Sequence, residues 1–181
     1  WTPEQIKQAL VSTAEPISKY SPRVQGAGRI NVAKAVKNNV FITYNNQPYG
    51  ELGAFTGNKT ITLTVTNKGS TTYTANITGY VTTSLEQIVY GNQGATYTVG
   101  SVSTPASVTV DPGTTKTIQV TVQPSDAWTD IFVEGRVLFT SSDGTRVFPF
   151  LGYFGDWALY SDKDTINGDS KWPDNNNIID L

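Results

Sequence analysis

A mainly β protein is predicted, a sandwich of about seven short strands preceded by two short helices. Three observations carry this. Branched apolar residues alternate with Thr over several runs, most clearly Ile61, Leu63 and Val65 against Thr60, Thr62, Thr64 and Thr66, the period-2 pattern of a strand buried on one face. Clusters of Gly, Pro, Asn and Asp separate those runs. Helical periodicity is confined to the stretch before Phe41.

The first helix is specified at its start. Thr2 is placed as N-cap, Pro3 fits the first helical position, and Gln5 completes a capping box by reaching back to the Thr2 amide. Ile6, Ala9, Leu10 and Thr13 then share one face, Glu4 favours the positive end of the dipole, and Pro16 stops the helix. An irregular stretch follows, in which Gly26 and Gly28 permit angles or close approaches that a Cβ would block. Asn31 then caps a second helix over Val32 to Lys37. Two helices this short cannot bury a core alone, so they must pack on the following domain or on a missing one.

The strands are read from their alternation. After Ile61 to Val65, Asn67-Lys68-Gly69-Ser70 turns the chain into Tyr73, Ala75 and Ile77; Leu85 to Tyr90 and Thr96 to Val99 are further runs. Val108 and Val110 lead through the Asp111-Pro112-Gly113 turn to Ile118, Val120 and Val122. In Ile131 to Ser141, Val133, Val137 and Phe139 form the apolar face and Gly135 is read as a bulge. Asp143-Gly144 is taken as the centre of a two-residue hairpin, and Pro149 in the return strand argues for an edge or terminal position. This strand count and spacing fits the immunoglobulin or fibronectin type III kind of sandwich. The last residues, Ser161 to Leu181, are rich in Asp and Asn and read as a linker or docking strip.

Composition excludes several chemistries. The net charge of -2, with scattered Lys and Arg, offers no footprint for nucleic acid or an anionic membrane. No apolar run approaches the roughly 20 residues of a membrane helix, and the N-terminus does not read as a signal peptide, so an export signal is expected outside this stretch. With no Cys there are no disulfides or thiol nucleophiles, and the absence of Met as well suits life outside the cell. With no His, neither Ser-His-Asp nor Cys-His chemistry is available within the chain.

Two motifs carry a resemblance. The run WTPEQIKQALVSTA followed by QGAGRINVAKAV resembles the last two helices of subtilisin-like serine protease domains, which close on a Q-G-x-G-x-[IV]-[ND]-x-x-x-A pattern. Val133 to Val137, followed by Val147-Phe148-Pro149-Phe150-Leu151-Gly152-Tyr153-Phe154-Gly155-Asp156-Trp157, is similar to the fibronectin type III-like domain behind the protease domain of lactocepin-type and complement-cleaving cell-envelope proteinases. Arg136 stands where that family usually has an aromatic residue, and Tyr153-Phe154 replaces the commoner Phe-Tyr. The resemblance implies three parts: residues 1–39 from the end of a subtilisin-like α/β domain, 40–160 as the sandwich, and 161–181 as an acidic linker or the start of a further domain. The family's catalytic Asp, His and Ser and its oxyanion-hole Asn have no matching positions. The chain would then be a non-catalytic hinge region of a secreted or cell-wall-associated, bacterial endopeptidase. Its partners would be the upstream catalytic domain and protein or peptide substrates. An adhesin or carbohydrate-binding sandwich is the alternative; there is no Arg-Gly-Asp tripeptide.

No catalytic, cofactor-binding or metal-binding residue is assigned, and no cofactor is expected. Tyr153, Phe154 and Trp157 offer either a platform for carbohydrate or protein substrate, or a plug that closes the sandwich; the plug is preferred because such rings supply large buried area. Asp162, Asp164, Asn167 and Asp169 around Gly168 have spacing like that of a calcium loop, but no Glu stands at its closing position. A solvated linker is the preferred reading, with calcium the one candidate ligand. Ser12, Ser18 and Ser21 read as polar or capping residues, Asp156 as a turn residue, and Asp126 and Asp130 as loop carboxylates flanking Trp128. Asn58 and Asn76 match the glycosylation acceptor pattern, which matters only in a eukaryotic secretory route.

Overall fold

Alternation of Thr with branched apolar residues builds two facing sheets, in a computed structural model that describes residues 1–17, 20–84, 96–126, 128 and 130–156. Three helices come first: α1 (Pro3–Ser12), α2 (Pro22–Gln25) and α3 (Val32–Ala35). The strands are β1 (Val40–Thr43), β2 (Gly50–Phe55), β3 (Lys59–Asn67), β4 (Tyr73–Ser84) and β5 (Thr96–Thr98). They continue with β6 (Gly100–Ser103), β7 (Ser107–Val110), β8 (Thr115–Pro124), β9 (Ile131–Ser141) and β10 (Gly144–Phe154). One sheet runs β1-β3-β8-β6, the other β2-β10-β9-β4-β5, with β7 on the first half of β4.

The inner faces interdigitate. Ile61, Leu63 and Val65 of β3 and Val120 and Val122 of β8 meet Ile77 and Val81 of β4, Val133, Val137 and Phe139 of β9, and Phe148 and Phe150 of β10, all buried in one cluster. Burying each such side chain contributes about 1.5–3 kcal/mol. On the outer faces the Thr hydroxyls pair across strands, Thr60 with Thr121 at 2.8 Å, Thr66 with Thr115 at 3.0 Å and Thr74 with Thr109 at 3.1 Å. Each pair adds roughly 0.2–1 kcal/mol, which gives the Thr-rich composition a structural purpose.

Local signals placed the helices well. The Thr2–Gln5 capping box is formed in both directions, and the Asn31 side chain accepts from the Lys34 amide. The first helix ends at Thr13 rather than running to Pro16, because Glu15 turns away to form an isolated β-bridge with Arg29. The second is one turn long, and α2 is an extra turn begun by Pro22. The strand count among the described residues is ten, because short strands of four to six residues such as β1, β2 and β6 carry too little alternation to be read from sequence. The run Leu85 to Tyr90, the end of the expected sandwich at 157–160 and the whole tail from Ser161 lie outside the described residues.

Three expectations about β9 and β10 change. Gly135 is not a bulge: β9 pairs with β10 without a register break from Ser141↔Gly144 to Ile131↔Phe154. Its missing Cβ instead makes room, since a methyl there would lie 2.1 Å from the Tyr80 carbonyl oxygen and 2.4 Å from the Phe150 ring. The irregularity falls where β2 joins β10 in parallel: Leu151 faces Glu51 and Tyr153 faces Ala54, with Gly53 at φ 65 within the longer stretch. The hairpin turns on Ser142-Asp143, one residue earlier than expected, with Gly144 already paired at φ 122. Pro149 lies in an internal strand, between β9 and β2, but just before the pairing with β2 begins at Phe150, so at that residue one side of β10 carries no ladder.

Gly135→Ala should therefore be costly although Ala is the smallest change. The expected loss is about 2–3 kcal/mol of unfolding free energy, read from the midpoint of a urea titration at unchanged slope. A variant as stable as the parent would restore the bulge reading.

Candidate functional site: the two-faced helical segment

The helical segment is held in shape by the residues of the Gln-Gly-x-Gly motif. The Gln25 side chain staples the preceding loop, accepting from the Ile17 amide at 2.8 Å and donating to the carbonyls of Ile17 and Tyr20. Gly26 ends α2 at φ 62. Gly28 allows the backbone of residue 15 to approach; a Cβ there would sit 2.4 Å from the Glu15 carbonyl oxygen, and the bridge Glu15–Arg29 closes at 2.8 and 2.9 Å. The Glu15 carboxylate then gathers Lys34 at 2.7 Å, Asn31 at 2.9 Å and Arg29 at 3.2 Å.

One side of this segment lies on the sandwich. Ala9 of α1 and Ala35 of α3 pack on Phe41, whose ring also meets Trp1 edge-on at 6.1 Å. Lys7 donates to Gln47 and Gln8 to the Asn46 carbonyl, tying α1 to the turn between β1 and β2, where Asn45 and Asn46 both have positive φ. On the outer face of β9, Glu134 Oε2 accepts from the Arg23 amide at 2.6 Å, and the Arg23 guanidinium lies over the Phe132 ring at 4.8 Å. Arg136 donates to the Gly26 carbonyl at 2.9 Å and to the Tyr80 hydroxyl at 2.6 Å.

The other side is apolar and open. Among the described residues, eight of the nine exposed large hydrophobic side chains belong to this segment: Ile6, Ile17, Tyr20, Val24, Ile30, Val32 and Val36, with Trp1 at the edge of the Phe41 contact. Val24 and Val36 are 66% and 65% exposed. An open groove of about 470 Å³ runs between α1 and the loop around Gly28, lined by Ile6, Leu10, Val11 and Ile30. Such a face marks an interaction surface.

A second polar cluster closes the far end of the sandwich. The buried Arg146 guanidinium binds Asp143 through both oxygens at 2.9 and 2.8 Å, donates to Asn38 at 2.8 Å and lies over the Tyr73 ring at 4.9 Å. Arg146 holds the Asp143 carboxyl well below the usual carboxylate range, and burial pushes the Tyr73 phenol up. The charged groups of the cluster are paired within it, while the buried Tyr73 hydroxyl has no hydrogen-bond partner among the described residues, and the cluster is structural.

Of the residues singled out from sequence, Tyr153 and Phe154 are buried. Phe154 packs on Phe55 in the core and Tyr153 edge-on against Phe132, so neither presents an exposed ring face. Trp157 lies outside the described residues, as do Ser18 and the set Asp162, Asp164, Asn167 and Asp169. Ser12 and Ser21 are buried, Ser12 donating to the Ala9 carbonyl and Ser21 preceding α2 as N-cap. Asp126 and Asp156 are exposed; Asp130, at φ 57, is packed against Gly155, and Trp128 leans on the core. Asn58 and Asn76 are exposed. No three carboxylates come together among the described residues. Sequence reading met Glu134 and Arg136 only as members of the Val133–Val137 motif and assigned neither a partner. The signal for their burial was their apolar surroundings on the same face, Phe132, Leu138, Val147 and Pro149.

The Glu15 cluster gives a pH test. Hydrogen bonds from Lys34, Asn31 and Arg29 lower its carboxyl from the usual 4.5 to about 2. A depressed pKa means stability that is fully present above the unfolded value and is lost as pH falls from about 4.5 towards about 2. Glu15→Gln should lower the melting temperature at pH 7 and leave it unchanged at pH 2. The difference should shrink in high salt, since the group is exposed. Equal effects at both pH values would remove the electrostatic account.

Comparison with known proteins places the sandwich in a family. A PII-type proteinase of Lactococcus lactis subsp. cremoris is 32% identical over 184 aligned residues, covering 90% of this chain, and a PII-type proteinase of Lacticaseibacillus paracasei matches at the same identity and coverage. A 90% share cannot be reached without residues of the helical segment. The chain spans only about a tenth of the length of these relatives. Among solved structures, a PapD-like domain of human CEP192 overlaps with a TM-score of 0.44 at 13% identity, over 64% of this chain and 84% of that one. The model of the Fn3-like domain matches residues 51–151, more than half of the chain, and the chain therefore belongs to the Fn3-like domain family.

Proposed function

We propose that this chain is a non-catalytic portion of a subtilisin-like serine endopeptidase that hydrolyses proteins outside the cell, secreted or held at a bacterial envelope. In this reading residues 1–39 complete the catalytic domain, residues 40–160 support it or help to position substrate, and residues 161–181 lead onward. The observation that carries the reading is the open apolar side of the helical segment, which gathers nearly all the exposed large hydrophobic residues described. A catalytic domain seated there would cover Ile6, Val24, Ile30 and Val32. The similarity to proteinases across 90% of the chain supports the same assignment. So does the chemistry: with no His, a Ser-His-Asp mechanism must draw its proton shuttle from elsewhere in the protein.

The test is made in the intact parent. Val24→Asp with Ile30→Asp removes two apolar contacts worth about 1.5–3 kcal/mol each and should lower the temperature at which peptidase activity is lost by roughly 5–10 °C. The purified 181-residue chain should show no peptidase activity. Hydrolysis that persists through repurification, or a parent without Asp, His and Ser in subtilisin-like order, would overturn the reading.

A further inference from the structure

We propose that the helical segment and the sandwich form one rigid body, locked by a buried charge clamp at Glu134 and Arg136, and not two parts joined by a hinge. A second body seated on the segment's open face would then be held at one orientation to the sandwich. The inference rests on contacts within the chain and stands whether or not the proteinase reading does.

The segment touches the sandwich at three separate places, spread over both of its sheets. Ala9 and Ala35 sit on Phe41 of β1. Lys7 and Gln8 hold the turn between β1 and β2. The loop from Arg23 to Gly26 lies on β9. Three such points determine an orientation, whereas a hinge needs a line of rotation free of contacts.

The third point makes the orientation steep. Glu134 is 0% exposed and Arg136 2% exposed, although both stand on the outer face of the sheet. Each is bonded to backbone of the segment, Glu134 to the Arg23 amide and Arg136 to the Gly26 carbonyl. These partners are main-chain groups that cannot follow a side chain. A tilt of an ångström or two would stretch both bonds while leaving both charges out of water, and a buried charge that loses a partner is strongly penalised. Full detachment would let water in but would strip the apolar contacts at Phe41. Intermediate tilts are thus the least favourable states, so the attachment behaves as closed or fully released. Glu134 and Arg136 are positioning residues in this sense.

Hydrogen exchange on the full chain tests this, read by peptide. Peptides over Pro3–Ser12 and Pro22–Gln25 are expected to exchange within about threefold of those from β9 and β10, as parts of one cooperative unit. Arg136→Met and Glu134→Ala should each speed exchange in the segment at least tenfold while β3 and β8 keep their protection. Glu134→Gln, which keeps an acceptor for the Arg23 amide but not the charge, should speed exchange less than Glu134→Ala. A segment that exchanges a hundredfold faster than β9 in the unaltered chain overturns the proposal, as do clamp variants that leave segment exchange unchanged. If the clamp variants do not fold, the unaltered scaffold still decides: the chain has no Cys, so spin labels at Val24→Cys and Thr117→Cys report one pair. A single narrow distance supports the rigid body, and a broad distribution overturns it.

Discussion

The outer face of β9 and β10 is the surface on which the rest of the molecule depends. A sheet in a sandwich needs only one apolar face, yet here the second face is also covered: Glu134, Arg136, Val147, Pro149 and Tyr153 are all buried outside the core layer. That covering is the helical segment. Without it a fully buried carboxylate and guanidinium would return to water and the sheet would be an ordinary solvated one. With it, breaking either bond while the charges remain buried costs about 1.5–3 kcal/mol, comparable to uncovering a large core side chain. The identity of Arg136 follows from this position. An aromatic residue there could fill space against α2 but could not reach the Gly26 carbonyl and the Tyr80 hydroxyl together, as the guanidinium does.

The glycine-rich motif does its work on the same surface. Gly28 exists to let residue 15 pair with residue 29, and that bridge presents the Glu15 carboxylate to three donors. Gly26 takes a positive φ at the end of α2, and its carbonyl is the one Arg136 reads. Gln25 closes the loop that delivers α2 to β9. Residues that in sequence look like a signature therefore form a structural device, one that shapes a loop on one side and meets buried charges on the other.

What was legible in the sequence was local. The capping box at Thr2 and Gln5, the Asn31 cap, the Thr alternation of β3 and the limits of β9 all rest on interactions within a few residues, and each is found as read. What was not legible depends on a distant neighbour. Gly135 inside a strand suggests a bulge until the Phe150 ring and the Tyr80 carbonyl are seen to occupy the space of its missing side chain. Pro149 suggests an edge because nothing in its own neighbourhood reveals that β2 arrives one residue later, in parallel, from far back in the chain. Nothing beside Glu134 and Arg136 in the sequence reveals their burial, because the segment that covers them lies more than a hundred residues away. The aromatic pair Tyr153 and Phe154 lies between these cases: its composition already favoured burial, and alternation sends one ring into the core and the other to the covered outer face.

The helical segment must satisfy two surfaces with fewer than forty residues, and it divides them by chemistry. Towards the sandwich it offers small residues and main-chain polar groups, Ala9, Ala35, the Arg23 amide and the Gly26 carbonyl, which fit closely and in one register. Away from it stand Ile6, Val24, Ile30, Val32 and Val36, whose attraction is non-directional and grows with the area covered. Directional bonds give orientation and apolar area gives adhesion, so a body gripping the second surface inherits the geometry set by the first. The segment is then a bracket: its shape comes from the Gln25–Asn31 motif, its angle from β9, and its strength of attachment to anything beyond from the hydrophobic side chains it leaves uncovered.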